Sequence, residues 1–312
     1  MLKFILRRLL LMIPVMLGVS FIIFSMLHIA PGDPAVQLAG GESASLEAVE
    51  EMRELMGFND PFLVQYGRWL FNLIIHQDLG TSFIRTGVPV TEEIVIRFPA
   101  TFQLAVSAVV VSTVIGIPIG ILSATKQYSI FDNVAMFIAL LGVSIPGFWQ
   151  GLLMILLFAV HLEWLPFGGL DDGLRSLILP SITLGTTSAA MVARMTRSSM
   201  LEVIGQDYIR TARAKGQTER VIINKHALKN ALIPIITVVG LNFGFLIGGA
   251  LIAETVFTIP GLGRLMVGAI QQRDFPVVQG SVLFIALTFS LVNLLVDIIY
   301  AFVDPRIKSQ YR

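Results

Sequence analysis

Ala193–Pro234 reads ARMTRSSMLEVIGQDYIRTARAKGQTERVIINKHALKNALIP, a polar island between two apolar runs, Ser176–Ala193 and Asn230–Ala253, that hold no Asp, Glu, Lys or Arg. Asp207 has the character of an N-cap, because its carboxylate can accept from orphan backbone N–H groups. A short helix follows from Tyr208 to Lys215, and Gly216 ends it in a left-handed turn. Thr218 caps a second helix through Glu219 to Asn230. The expected unit is helix, tight turn, helix, projecting between two membrane spans. Ile209, Ala212 and Arg213 share one face of the short helix, with Tyr208 beside them, and Ala212 is small enough for another protein to approach closely. A basic loop alone reads as a lipid-headgroup contact. The compact capped helix and its small residues point instead to a protein docking site.

Outward from this island the chain is a membrane protein. Of its 312 residues 55% are hydrophobic and only 14% charged, where soluble domains carry about 25% charged residues. The mean hydropathy is +0.79. A spanning helix needs about 20 mostly apolar residues. Six charge-free stretches meet that need: Leu9–Pro31, Pro99–Thr125, Asn133–Val160, Ser176–Ala193, Asn230–Ala253 and Pro276–Val296. The fourth is short and rich in Ser and Thr, which a helix shielded from lipid by its neighbours tolerates. Lys3, Arg7 and Arg8 precede the first run as in a signal peptide. That run is longer than a signal core and no small-x-small site closes it, so it reads as a retained span.

Lys and Arg set the orientation. The island from Arg194 to Lys229 holds eight bases and three acids, whereas Gly32–Arg97 holds ten acids and four bases. The bias alternates as six spans require and puts both termini in the cytoplasm. The expected organisation is an N-terminal tail with the first span (1–31), an extracytoplasmic segment with short helices (32–98), a five-helix core (99–304) containing the cytoplasmic loop 194–229, and a cytoplasmic tail (305–312). In the outer segment Ser45–Met56 reads as a helix capped by Ser45 and stopped by Gly57. Pro61–Ile75 reads as a second, with an aromatic face of Phe62, Tyr66, Trp69 and Phe71. Pro118 and Pro146–Gly147 are breakers within spans. Gly240, Gly244 and Gly248 form a small-residue ridge suited either to close helix packing or to a moving interface.

Several chemistries are missing. The net charge of +1 gives no reason to expect nucleic acid, and without cysteine there is no disulfide, thiol nucleophile or thiolate zinc site. There is no G-x-x-x-x-G-K-[ST] loop for ATP and no H-E-x-x-H or G-x-S-x-G motif. His28, His76, His161 and His226 are scattered. Glu254 and Asp297 fall at span ends and read as interfacial. Charge-free spans argue against an ion-coupled carrier, whose ionisable groups mark the ion path.

HIAPGDP (His28–Pro34), DLGTSF (Asp78–Phe83), PATFQLA (Pro99–Ala105), SIPGFWQG (Ser144–Gly151), LPSITLG (Leu179–Gly185), DYIRTARAKG (Asp207–Gly216), ETVFTIPGLGRL (Glu254–Leu265) and DPR (Asp304–Arg306) occur in that order. Together they resemble the membrane permeases of dipeptide/oligopeptide/nickel ABC importers, over nearly the whole chain, and the central island resembles their EAA loop. The resemblance implies an all-α integral membrane protein with the six-helix type I ABC importer permease fold, located in the cytoplasmic (inner) membrane. It implies a homologous second permease subunit, two cytoplasmic ABC ATPases that bind ATP and Mg²⁺, and an extracytoplasmic substrate-binding protein. No cofactor is implied in this chain. The ATPase-coupling residues would be Asp207, Tyr208, Ile209, Arg210, Ala212, Arg213 and Gly216. Ala212 and Gly216 match the motif's second alanine and its glycine. Arg210 stands at the glutamate position, Thr211 at the first alanine and Lys229 at the closing proline. The substrate would be dipeptides or short oligopeptides, or alternatively nickel chelates, glutathione or a related solute. An ATP-independent carrier is the reading from another class. The path would run between paired permeases, with Asn242, Gly244 and Gly248 as candidate lining.

Overall fold

The computed structural model describes residues 2–29 and 32–303. Helix α1 (Leu2–Ile29) leads to a cap of short helices, α2 (Pro34–Leu38), α3 (Leu46–Met56) and α4 (Phe62–Phe71). Then come α5 (Val90–Thr125), α6 (Ile130–Ser144), α7 (Gly147–Met154), α8 (Leu174–Ile204) and α9 (Asp207–Ala214). The last part holds α10 (Glu219–Val221), α11 (Leu228–Gly249), α12 (Leu251–Val256), α13 (Leu262–Gln271) and α14 (Phe275–Val303). Among the described residues the only β pairing is an isolated bridge between Thr81 and Pro89. The Asp304–Arg306 motif, the 305–312 tail and the expected end of the first run at Pro31 lie outside the described residues.

Among the described residues five rods are long and apolar enough to cross a membrane: α1, α5, α8, the continuous helix from α10 through a π-helical turn into α11, and α14. The expected third span is broken. Its halves, α6 and α7 with the π-helical extension Ile155–His161, meet at 98°. The break has a local cause. Pro146 has no N–H and disfavours the helical region for the residue before it, and Ile145 is extended at φ −81°, ψ 125°. The spans number six when this bent pair counts as one.

The polar fourth run is the central helix. In α8, 61% of the apolar window is buried within the chain, against 11% in α1 and in α14. Several of its hydroxyls turn back on the backbone or meet neighbours, while those of Ser176 and Thr196 are buried without a partner among the described residues. Thr183 donates to Leu179 O (2.9 Å), Ser181 to Ser107 Oγ (2.8 Å), and Gln150 of α7 donates to Thr186 (2.7 Å). Helix α5 crosses α8 at backbone contact. A Cβ on Gly120 would lie 2.5 Å from Thr196 Cβ and 2.6 Å from Ala193 O.

The charge-free rule placed two boundaries too far in. Helix α5 starts at Val90, inside the 32–98 segment, and carries Glu92, Glu93 and Arg97. At 1.5 Å per residue its 36 residues exceed a hydrocarbon core of about 30 Å, so a spanning α5 leaves charged turns outside the core. Helix α8 likewise runs past Ala193 to Ile204. Arg197 there forms two 2.7 Å hydrogen bonds with Asp132, whose carboxylate also accepts from Tyr128 N, so α8 is clamped to the start of α6.

The cap follows local rules. Ser45 Oγ accepts from Ala48 N, and Gly57 closes α3 at φ 69°. The aromatic face of α4 packs on α1: Phe62 and Tyr66 stand edge-on to Phe21 and Phe24, and the Tyr66 and Ser20 hydroxyls are 2.8 Å apart. Phe71 points elsewhere and remains exposed. At the other end of α1, Arg8 pairs with Asp297 of α14 at 2.9 Å.

Glu254 does not face a surface at its span end. It is completely buried. Its carboxylate accepts from Thr101 Oγ1 (2.6 Å) and Arg264 N (3.1 Å), while Thr101 accepts from Leu262 N (2.8 Å). These bonds fasten the ETVFTIPGLGRL turn to α5.

Candidate functional site

The short helix α9 hangs between two rods, the end of α8 and the start of α10. Its first helical residue is Asp207. The cap position belongs to Gln206, whose side chain makes no capping bond, so Asp207 is not the N-cap expected from the sequence. It sits in the first turn, where its charge favours the positive end of the helix dipole. The other end is as expected. Gly216 has φ +78°. Gln217 N donates to Ala212 O (3.3 Å) and Gly216 N to Arg213 O (2.9 Å), the paired bonds of a Schellman motif. The second helix does not stop at Asn230. From Glu219 it runs unbroken into the span, through a π-helical turn at Ile222–Ala227.

Packing reverses the expected roles of the faces of α9. Ile209 is fully buried in a cluster with Ala124, Met200, Ile222, Ala227, Ala231 and Ile235, and Ala212 is half-buried against it. Ile209 anchors α9 to its own chain and is closed to a partner, whereas Ala212 keeps part of its surface open. The exposed residues are Asp207, Tyr208, Arg210, Thr211, Arg213 and Ala214. Two of them are tied at their tips. The Tyr208 hydroxyl accepts from Asn230 Nδ2 (2.8 Å), and Arg213 Nε donates to Glu219 (2.7 Å). The paired carboxylate holds the Arg213 guanidinium above its ordinary pKa. Asp207 and Arg210 stand 3.6 Å apart with 95% and 74% of their side chains exposed. Such a pair contributes little in solvent and leaves both groups open to a partner. The fixing residues Asn230 and Glu219 could not be foreseen, because they lie on the following rod and no local spacing marks them.

The candidate path residues fare differently. Cβ atoms on Gly240, Gly244 and Gly248 would lie 2.1 Å from Val296, 2.9 Å from Phe289 and 3.3 Å from Ile285. All three neighbours are on α14, so the ridge is filled by packing within the chain. Gly244 is buried against α14, while Gly248 keeps part of its surface exposed. Asn242 keeps a buried Nδ2 with no hydrogen-bond partner. Among the described residues no group of three or more His, Cys, Asp or Glu could hold a metal ion.

Comparison with known proteins gives this arrangement a context. The family described as "Binding-protein-dependent transport system inner membrane component" matches residues 116–309, and its N-terminal counterpart matches residues 1–105. The chain is 47% identical to the "Dipeptide transport system permease protein DppB" of Alkalihalophilus pseudofirmus, over 99% of this chain and 100% of that one. It is 44% identical to the protein of the same name in Escherichia coli K12, with the same coverage. A "Putative peptide transport system permease protein" of Brucella abortus is 47% identical over 97% of this chain and 98% of its own length. Among solved structures, the inward-facing MetNI methionine ABC transporter superposes with a TM-score of 0.57 at 23% identity, covering 67% of this chain and 95% of that one. An amino acid ABC transporter solved with histidines gives 0.51 at 17%, covering 69% and 94%. These two likenesses show the fold, that of a type I ABC importer permease. The family matches and the full-length relatives show more: the chain belongs to the binding-protein-dependent transport system inner membrane components, and is a multi-pass protein of the cytoplasmic membrane.

Proposed function

We propose that this chain is the peptide-conducting membrane subunit of an ATP-driven importer, working beside a homologous permease. The observation that carries the coupling role is α9, a two-turn helix anchored by Ile209 and presenting Asp207 and Arg210 unencumbered. The peptide assignment is supported by relatives named as dipeptide permeases at 44–47% identity over their whole length. The excess of Lys and Arg between Arg194 and Lys229 supports a cytoplasmic α9 with both termini on the same side. In this reading two ABC ATPases bind ATP and Mg²⁺, an extracytoplasmic binding protein delivers the peptide, and this chain has no catalytic residue of its own. ATP-driven closure acts on α9 and shifts the spans between inward-open and outward-open states. It can do so only through contacts that differ between those states.

Tagged chain extracted from its native membranes in mild detergent should bring down P-loop ATPases and a second multi-span permease. Replacing Asp207–Gly216 by a Gly/Ser linker should lose the ATPases. Recovery of the chain alone, under conditions that preserve a known ABC complex, would overturn the assignment in favour of a carrier, whose transport persists without ATP.

Gly216 offers a finer test. A Cβ there meets nothing within 4 Å, so a substitution at φ +78° is strained by its backbone alone. Valine should cost about 1–3 kcal/mol and abolish uptake with the complex still assembled. Asparagine, which tolerates the left-handed region, should retain most of it. Equal uptake by both variants would contradict a role for this turn.

A further inference from the structure

A cavity of about 280 Å³ opens among the 80–90 turn, the start of α5 and α13, and Arg85, Arg97 and Arg264 all line it. Glu93, only 6% exposed, sits in its wall. Arg85 Nη1 is 2.6 Å from each Glu93 carboxylate oxygen. Arg97 Nη1 pairs with the same carboxylate and donates to Glu93 O at 3.0 Å. One buried acid thus holds two guanidiniums in place. Each engages it through Nη1, so the Nε and Nη2 edges of both have no acceptor among the described residues. Arg264, on the facing helix, donates from Nη1 to Thr258 O (2.9 Å) and pairs with no acid among the described residues. The second carboxylate lining the cavity, Asp274, is already occupied by the Ser82 hydroxyl and by Phe83 N (3.0 Å). Three guanidiniums therefore face two carboxylates that already accept hydrogen bonds from the chain. Planar N–H forks fixed in this way match a carboxylate, which can accept two parallel bonds.

The cavity lies at the end of the bundle opposite α9. Glu93 is near the start of α5, and Ala124, in the Ile209 cluster, is at its end. That helix separates them by roughly 45 Å at 1.5 Å per residue. On the orientation proposed above, this is the face at which substrate arrives. We propose that the Arg85–Arg97–Arg264 cavity binds a carboxylate, the C-terminal one of the peptide being handed over. The inference rests on the peptide reading above and adds a carboxylate site to it.

The absence of cysteine supplies a direct probe. Gln272 lines the cavity, and Gln272→Cys creates the single thiol of this chain. Maleimide labelling of that chain is followed in the purified, assembled importer, with four additions: a dipeptide, its C-terminal amide, the peptide-free binding protein, and buffer. At roughly ten times its Kd the free-acid peptide should slow labelling about tenfold, while the amide leaves the rate unchanged. Adding Arg264→Gln should remove most of that protection, and Arg264→Lys should restore part of it. Equal protection by acid and amide, or none by either, would overturn the carboxylate site. Protection by the peptide-free binding protein would overturn it in favour of protein docking. Uptake of the same labelled peptide is measured in vesicles with the unmodified importer. Uptake without protection sinks the site alone, whereas protection without uptake sinks the transport reading and leaves the site standing.

Discussion

Replacing Ile209 by aspartate should detach α9 from the bundle and abolish coupled transport. Ile209 has no exposed surface, and every neighbour in its cluster is apolar: Ala124 from α5, Met200 from α8, and Ile222, Ala227, Ala231 and Ile235 from the rod that follows. The one cation on the same face of α9, Arg213, is already held by Glu219. Burying an unpaired charge costs several kcal/mol, more than a helix of two turns can hold by itself, since isolated helices this short are marginal in water. The helix escapes the penalty by swinging out. Trypsin, which cuts after Arg and Lys, should then attack Arg210, Arg213 and Lys215 far faster than in the unaltered protein, and ATPase recovery should fall with uptake. Ile209→Val removes one methyl group, costs about 0.5–1.5 kcal/mol, and should leave cleavage and uptake near normal. Wild-type protease resistance and uptake in the aspartate variant would refute the anchoring role.

The second large effect is expected at Gly120. A side chain there meets Thr196 Cβ and the Ala193 carbonyl at 2.5–2.6 Å, and one turn earlier Gly116 faces the Ala189 carbonyl at 2.8 Å. A carbonyl of the facing helix cannot rotate aside as a side chain can, so the helices must part. Overpacking costs about 1–3 kcal/mol and occasionally more, and α8 is the helix with most to lose, being the most deeply buried span. Gly120→Val should lower the detergent melting temperature markedly, and Gly120→Ala less so. Thr196→Gly added to Gly120→Ala removes one of the two collisions and should recover part of the loss, a coupling that a double-mutant cycle measures. A valine variant that melts with the unaltered protein would show that α5 and α8 do not cross this closely.

These cases show why some features were legible in the residues and others were not. Ser45, Gly57 and Gly216 act on groups within a few positions of themselves, so a local count of hydrogen bonds and a positive φ foretold them. Pro146 broke its helix for an equally local reason. The Ser and Thr content of α8 signalled burial because polar side chains at membrane depth need protein neighbours. The short helix was foreseen but its orientation was not. A face holding Ile209 and Ala212 reads equally well as an anchor or a dock, and only the packing of Met200 and Ile222 against it decides. Glu254 looked interfacial because its partner Thr101 is 153 positions away. The glycine ridge was rightly identified as a place of close approach, but its neighbour is α14 of the same chain.

The contact between Arg8 and Asp297 has a consequence for biogenesis. The two residues lie far apart along the polypeptide, so the ribosome delivers α1 long before the helix that clasps it. During insertion the aromatic face of α4 reaches α1 early, and α14 arrives much later. The seam between α1 and α14 is then a late step of assembly, and a message truncated before α14 yields a bundle left open along α1, a form for membrane quality control to remove.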